Sequence, residues 1–105
     1  MIIENVEMLK RAATAAGIAY TYDRPTCINA IRVNGKLWNP FVNMGEAFEL
    51  ASALKMSIEH SRDSVTVRIK ETGLEKTLTT DKTDLATLTC RAIVLLAYES
   101  HKEGE

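Results

Sequence analysis

The sequence predicts one α+β domain over residues 1–105, in which a largely antiparallel sheet of five to six short strands is flanked by three helices in an α-β-α sandwich-like arrangement. Three observations lead to this prediction. Two segments have apolar residues at helical spacing, and a third is apolar nearly all round. Between them, short segments alternate apolar and polar residues, which is the period of a strand. An Asn34-Gly35 pair is a strong hairpin signal and indicates antiparallel pairing.

The overall composition is that of an ordinary globular domain. Hydrophobic residues make up 46% of the chain and charged residues 26%, and 13 basic and 14 acidic residues give a formal net charge of −1. Because nucleic-acid affinity rests largely on phosphate neutralisation, this chain would need its basic groups on one face to bind that way. The balance lowers the expectation of nucleic-acid binding without excluding it.

Two features bear on localisation. The first residues, MIIENVEMLK, contain acids where a signal peptide needs a basic start and then an apolar run. The longest apolar run, Ala92 to Tyr98, is far shorter than the ~20 residues that span a bilayer. We therefore expect a cytoplasmic protein that does not associate with a membrane.

The first helix is predicted over residues 3–16, and Gly17 follows it in a position that suits a left-handed cap. Four apolar residues of this helix share one stripe: Val6, Leu9, Ala13 and Ala16. After the helix, Ile18, Tyr20 and Tyr22 alternate with smaller residues and predict a strand that ends at the DRPT segment.

A hairpin is predicted around Trp38, the only tryptophan in the chain. Residues 28–33 predict a strand, and Asn34-Gly35 predicts a two-residue type I′ turn. With that turn, Ile31 lies opposite Trp38. We interpret Trp38 as a core residue of this sheet, and the alternative is an exposed ring that binds a ligand.

A second helix is predicted over residues 44–55, after Pro40 has ended the strand. Asn43 and Glu46 resemble a capping box, in which the Asn43 side chain accepts from the amide of residue 46 and the Glu46 carboxylate accepts from the amide of residue 43. We therefore give Asn39 and Asn43 a structural role rather than a role in ligand binding. The apolar positions of the helix are Met44, Ala47, Phe48, Ala51 and Leu54.

Residues 56–70 predict a second hairpin, and residues 74–79 predict a further strand. Ile58 and His60 share one face of the first of these strands, and the second strand has an apolar inner face: Val65, Val67 and Ile69. Lys76 lies on the inner row of the last strand, which is otherwise apolar. Since an inward lysine is a known protection against edge pairing, we place this strand at a sheet edge.

The last helix is predicted over about residues 82–100, with Asp81 as its cap. Its middle, RAIVLLAY, is apolar nearly all round, so we expect it to be the most buried element.

No catalytic or metal-binding motif is evident. Cys27 and Cys90 form no CxxC pair, and His60 and His101 do not complete a zinc-binding set. The five glycines form no phosphate-binding loop. We expect two buried thiols, no cofactor, no metal and no enzymatic activity. An enzyme that uses Cys27 with His60 as its base is the weakest alternative.

One candidate binding surface is a basic face of the sheet. Its members are Arg62, Arg68 and Lys70, joined by Lys36 and Arg32. Such a face could contact a nucleic-acid backbone, with Tyr20 or Tyr22 available to stack on bases. The alternative is a solvated face of mixed charge, because three acidic residues are interleaved: Glu59, Glu71 and Glu75.

Part of the chain carries a family resemblance. The features are WNP at residues 38–40, the helix start NMGEAFELASAL, a central strand pair, and a terminal helix with RAIVLLA. With these features, Trp38 to Tyr98 resembles the phage ABA-sandwich and NinX-like group of small bacteriophage and prophage proteins. The central strands lack the second tryptophan expected of that group, and residues 1–35 match nothing in it. The resemblance implies a sheet between helices, a cytoplasmic life in a phage-carrying bacterium, and an uncharacterised role without catalytic residues.

We therefore predict a non-enzymatic accessory protein of phage origin that binds a macromolecular partner, with a host or phage protein as the expected partner. The alternative is a nucleic-acid-binding module that uses Arg62, Arg68 and Lys70, with an affinity that falls steeply as salt rises. The apolar terminal helix and the edge strand also lead us to expect that the chain can form a homodimer.

Overall fold

The computed structural model describes residues 2–21, 31–41, 43–80 and 84–104, with the backbone alone at 2–6 and 101–104. The described elements are α1 (Ile2–Ala15), β1 (Ile31–Val33), β2 (Lys36–Trp38), α2 (Met44–Ala53), β3 (Met56–His60), β4 (Ser64–Ile69), β5 (Leu74–Thr79) and α3 (Leu85–Gly104). The α+β class, with three helices and antiparallel strands, is confirmed. The five described strands form two sheets rather than one, in the orders β1-β2 and β3-β4-β5.

Helix α3 lies at the centre of the molecule. It packs against α1, α2, β4 and β5. Because so much of its circumference meets other elements, it must be apolar nearly all round. Its buried apolar residues are Leu88, Cys90, Ala92, Ile93, Val94, Leu96 and Ala97. The structure therefore buries the apolar middle of this helix, as the sequence predicted.

The start of α3 differs from the prediction, because Asp84 caps the helix. Asp84 Oδ1 accepts from the Thr87 amide at 2.8 Å, and Oδ2 accepts from the Thr87 hydroxyl at 3.1 Å. Both hydrogen bonds hold the pKa of the Asp84 carboxyl below its ordinary value of 3.8, and the bond from the Thr87 amide has the larger effect. Asp81, the predicted cap, lies outside the described residues. Asp84 is suited to cap the helix because Thr87, three residues later, offers both its backbone amide and its hydroxyl as donors.

The predicted hairpin around Trp38 is confirmed. Ile31 pairs with Trp38, and Asn34 and Gly35 have φ values of 55° and 80°, as a type I′ turn requires. Trp38 is 3% exposed and Ile31 is fully buried. The interpretation of Trp38 as a core residue is therefore confirmed.

The strand predicted over residues 18–22 is not formed in its described part, residues 18–21. Thr21 alone pairs, exchanging two backbone bonds of 2.9 Å with Arg32. Strand β1 has three residues and one of its edges is taken by β2, so it offers little length to a further strand. Ile18 and Tyr20 still pack against the core. Tyr22 lies outside the described residues.

The three-stranded sheet has one covered face and one exposed face. Helix α3 covers the face that carries the buried row of β4, Val65, Val67 and Ile69. The opposite face carries six exposed residues: Ser57, Glu59, Arg68, Glu75, Thr77 and Thr79. Strand β5 lies at an edge and Lys76 is half-buried on its inner row, as predicted.

The capping box at the start of α2 is half correct. Asn43 Oδ1 accepts from the Glu46 amide at 3.0 Å, as predicted. The Glu46 carboxylate, however, accepts from the amide of Asn39 at 2.6 Å. The Asn43 amide instead donates to the Asn39 carbonyl at 3.1 Å. The turn after Trp38 occupies the Asn43 amide and presents the Asn39 amide to Glu46, so Asn39, Asn43 and Glu46 fasten the hairpin to α2.

Replacing Asn43 with alanine should lower the free energy of unfolding by about 1 kcal/mol, because the Glu46 amide loses its cap. The measurement is urea denaturation. Asn43→Ser, which keeps a capping oxygen, should recover most of the loss. Equal stability of the alanine variant and the parent would contradict this cap.

Candidate functional site

The structure does not gather the predicted basic residues into one patch. Arg62 lies in the turn before β4 and Lys70 directly after β4, and both are exposed. A six-residue strand is about 20 Å long, so these two residues lie at opposite ends of the sheet. Arg32 and Lys36 belong to the other sheet, on β1 and β2.

Arg68 lies on the exposed face of the sheet, and its charge is matched there. Its Nη2 lies 2.6 Å and its Nε 2.9 Å from Glu75 Oε1. The hydrogen bond and the charge of Glu75 raise the pKa of Arg68, and the charge of Glu59 adds to the effect. This is the geometry of a solvated face of mixed charge, the alternative to a basic face.

His60 has a structural partner. Its Nε2 lies 2.8 Å from Thr89 Oγ1. The Thr89 hydroxyl donates to the Leu85 carbonyl at 2.6 Å. A threonine hydroxyl has one proton to donate, so His60 Nε2 must be the donor in the contact with Thr89. The ring thereby completes the hydrogen bonding of Thr89, which is 1% exposed. Cys27, the proposed partner of His60 in catalysis, lies outside the described residues.

Cys90 lines a small pocket at the start of helices α2 and α3. The pocket has a volume of about 170 Å³ and is lined by Phe41, Met44, Ala86, Thr87 and Cys90. The Cys90 thiol donates to Met44 Sδ at 3.7 Å. Burial, with the charge of Asp84 second, raises the pKa of the thiol, so the nucleophilic thiolate is disfavoured. The expectation of a buried thiol is confirmed for Cys90.

The described residues contain no group of three or more His, Cys, Asp or Glu side chains that could hold a metal ion. Within the same residues, no helix has the length and apolar character needed to cross a membrane.

Two large apolar side chains stand out on the described surface, Leu37 at 54% exposure and Phe48 at 48%. Phe48 was expected among the apolar positions of α2, but the buried residues of this helix are Ala47, Leu50 and Ala51. Phe48 lies about 100° around the helix from Ala47, which places it beside the buried stripe. Of its four neighbours one turn away, Gly45 and Ser52 are small and exposed, whereas Met44 is half-buried and Ala51 is buried. The ring therefore protrudes from the middle of a helix.

No family model matches this chain, and neither a curated protein nor a solved structure is significantly similar to it.

Proposed function

We propose that this chain is a non-enzymatic accessory protein of bacteriophage or prophage origin that acts in the cytoplasm by binding another protein. The observation that carries the proposal is Phe48, an aromatic side chain that is 48% exposed on α2. Aromatic residues are enriched in the cores of protein interfaces, and a few such anchors supply most of the binding energy. The resemblance over Trp38 to Tyr98 supports the phage origin.

The described polar groups with potential chemistry support a binding protein rather than an enzyme. His60 is bonded to Thr89, the Asp84 carboxylate caps α3, and the Cys90 thiol is buried with a raised pKa. Each therefore has a structural explanation. The nucleic-acid alternative has less support, because Arg68 is paired with Glu75 and the other predicted basic residues are dispersed.

Phe48 would suit a second copy of the chain as well as a different protein, so self-association is part of the proposal. The short α2, Met44–Ala53, offers little area by itself. A standard interface buries roughly 800 Å² on each partner, so the contact must extend beyond this helix.

Phe48→Ala should weaken partner binding about tenfold or more, because truncation of an aromatic anchor costs well over 1 kcal/mol. The partner is first captured from the phage-carrying host on the tagged chain and identified by mass spectrometry. Its affinity for the purified variants is then measured by calorimetry. The stability of the variant should stay within about 0.5 kcal/mol of the parent, since Phe48 is a surface residue.

Leu37→Ala is the matched control, because Leu37 is a comparably exposed apolar residue on a different element, β2. We expect it to bind the partner nearly as tightly as the parent. A Phe48→Ala variant that binds with undiminished affinity would refute the proposed anchor. Capture of nucleic acid, with an affinity that falls steeply as salt rises, would favour the alternative function.

A further inference from the structure

The inner rows of the three-stranded sheet differ between its centre and its edges. The central strand, β4, places only apolar residues against α3: Val65, Val67 and Ile69. Each edge strand replaces one such position with an ionisable residue. By register, His60 of β3 lies beside Val65, and Lys76 of β5 lies beside Val67. Each edge strand thus carries one ionisable residue on its inner row, exposed at His60 and half-buried at Lys76, and the central strand carries none.

Both inward side chains are bonded to α3. His60 Nε2 lies 2.8 Å from Thr89 Oγ1, and Lys76 Nζ lies 2.5 Å from Glu99 Oε2. Thr89 and Glu99 are about 15 Å apart along the helix axis, by the rise of an α-helix. The two bonds therefore join the helix to the two opposite edges of the sheet at separate points.

We propose that His60 and Lys76 protect the two sheet edges and prevent the sheet from extending onto a second copy of this chain. An edge strand presents unpaired backbone groups, and an inward charge is one of the ways in which proteins block their pairing. The Lys76 side chain is 28% exposed and that of Glu99 is 39% exposed, so this ion pair is partly accessible to solvent water. A strand added along β5 would remove that water, and burial of a charge without full compensation is unfavourable.

Pairing of two β5 strands about a twofold axis carries a second cost. In a continuous antiparallel sheet the inner rows of the two copies face the same side, which places both Lys76 side chains on one face. Both Lys76–Glu99 ion pairs would then lie in one poorly hydrated layer, and the desolvation of two ion pairs is unfavourable. On the other edge, a strand added along β3 would cover the ring of His60. One ring nitrogen of His60 already donates to Thr89, and the rest of this exposed residue would lose contact with solvent.

Two variants distinguish protection of the sheet edge from a purely structural role, in which the Lys76–Glu99 ion pair only stabilises the packing of α3 on the sheet. Lys76→Met removes the inward charge, whereas Glu99→Gln weakens the ion pair but keeps the charge of Lys76. Protection of the edge predicts that Lys76→Met associates and that Glu99→Gln does not. A purely structural role of the ion pair predicts that both variants lose stability to the same extent and that neither associates.

The experiment is sedimentation velocity over a wide range of protein concentrations. Every variant also carries Phe48→Ala, so that association through α2 cannot imitate edge pairing. Lys36→Met, which removes one exposed lysine from β2 in the other sheet, is the matched control. We expect Lys76→Met to associate about tenfold more tightly than Lys36→Met, and His60→Val with Lys76→Met to associate more tightly still.

His60→Val leaves the bond from the Thr89 hydroxyl to the Leu85 carbonyl in place, so this variant should fold. If Lys76→Met does not fold, as judged by circular dichroism, Lys76→Gln takes its place, since it also removes the charge. Association of the Lys76 variant no tighter than that of Lys36→Met would overturn the proposal. Association of Glu99→Gln to the same degree as Lys76→Met would overturn it too.

Discussion

Truncation of Trp38 to alanine is expected to lower the free energy of unfolding by about 3–5 kcal/mol. The indole is 3% exposed and belongs to the core cluster of the domain. It lies opposite Ile31 on β1, directly before the turn that Asn39 and Glu46 hold against α2. Removal of the ring leaves a cavity that this tightly bonded backbone cannot close, so the loss should fall in the upper part of the range for aromatic truncations.

The test is equilibrium urea denaturation of the purified variants. Leu37→Ala is the control. Leu37 precedes Trp38 on β2 and is 54% exposed, so the loss of its side chain should change the free energy of unfolding by about 0.5 kcal/mol or less. Trp38→Phe should fall between the parent and the alanine variant, because it retains an aromatic ring. A Trp38→Ala variant as stable as Leu37→Ala would show that the indole does not contribute to the core.

The position of Trp38 could be predicted from the sequence because the deciding signal is local. Asn34 and Gly35 select a two-residue turn, and that turn length alone fixes which residues lie opposite each other. The bond from the Asn39 amide to Glu46 could not be predicted in this way. It depends on how the chain folds back around Pro40, and the capping-box pattern does not encode that path.

The misplacement of Phe48 has a specific cause. The apolar positions assigned to α2 included Met44 and Phe48, but the tighter set at i, i+3, i+4 and i+7 is Ala47, Leu50, Ala51 and Leu54. The structure buries or half-buries all four of these residues, and Met44 is half-buried as well. A helix with this stripe towards the core has Phe48 on its flank. The residue on which our functional proposal depends was therefore accessible from the sequence.

The residues predicted to form a basic face lie apart because strand register and strand length, and not composition, decide where charged side chains are placed. Arg68 lies opposite Glu75 in the β4–β5 register. The four-residue turn from Lys70 to Gly73 sets this pairing, with Gly73 at a φ of 76°, whereas a three-residue turn at residues 71–73 would have placed Arg68 opposite Lys76. The distance between Arg62 and Lys70 likewise follows from strand length. The separation of Arg62 from Lys70 could thus be predicted from strand length. The pairing of Arg68 with Glu75 needed the exact turn length, and the partners of His60 and Lys76 on α3 depend on tertiary packing.

The other large effect is expected at Ile93, in the middle of α3. Its side chain is fully buried, and the helix around it contacts α1, α2, β4 and β5. Ile93→Val should lower the free energy of unfolding by about 0.5–1.5 kcal/mol and Ile93→Ala by about 2–5 kcal/mol, as methyl and methylene groups are removed in turn. The size of the two losses measures how far the neighbouring helices and strands can move in to fill the cavity left at Ile93.

Arg91→Ala provides the control for Ile93, because Arg91 is exposed on the same helix and alanine is the better helix former. Its stability should stay within about 0.5 kcal/mol of the parent. Thermal unfolding followed by circular dichroism measures the whole set under one condition. If Ile93→Ala lost no more stability than Arg91→Ala, α3 could not be the central element of the core, and the attachment of His60 and Lys76 to it would lose its structural basis.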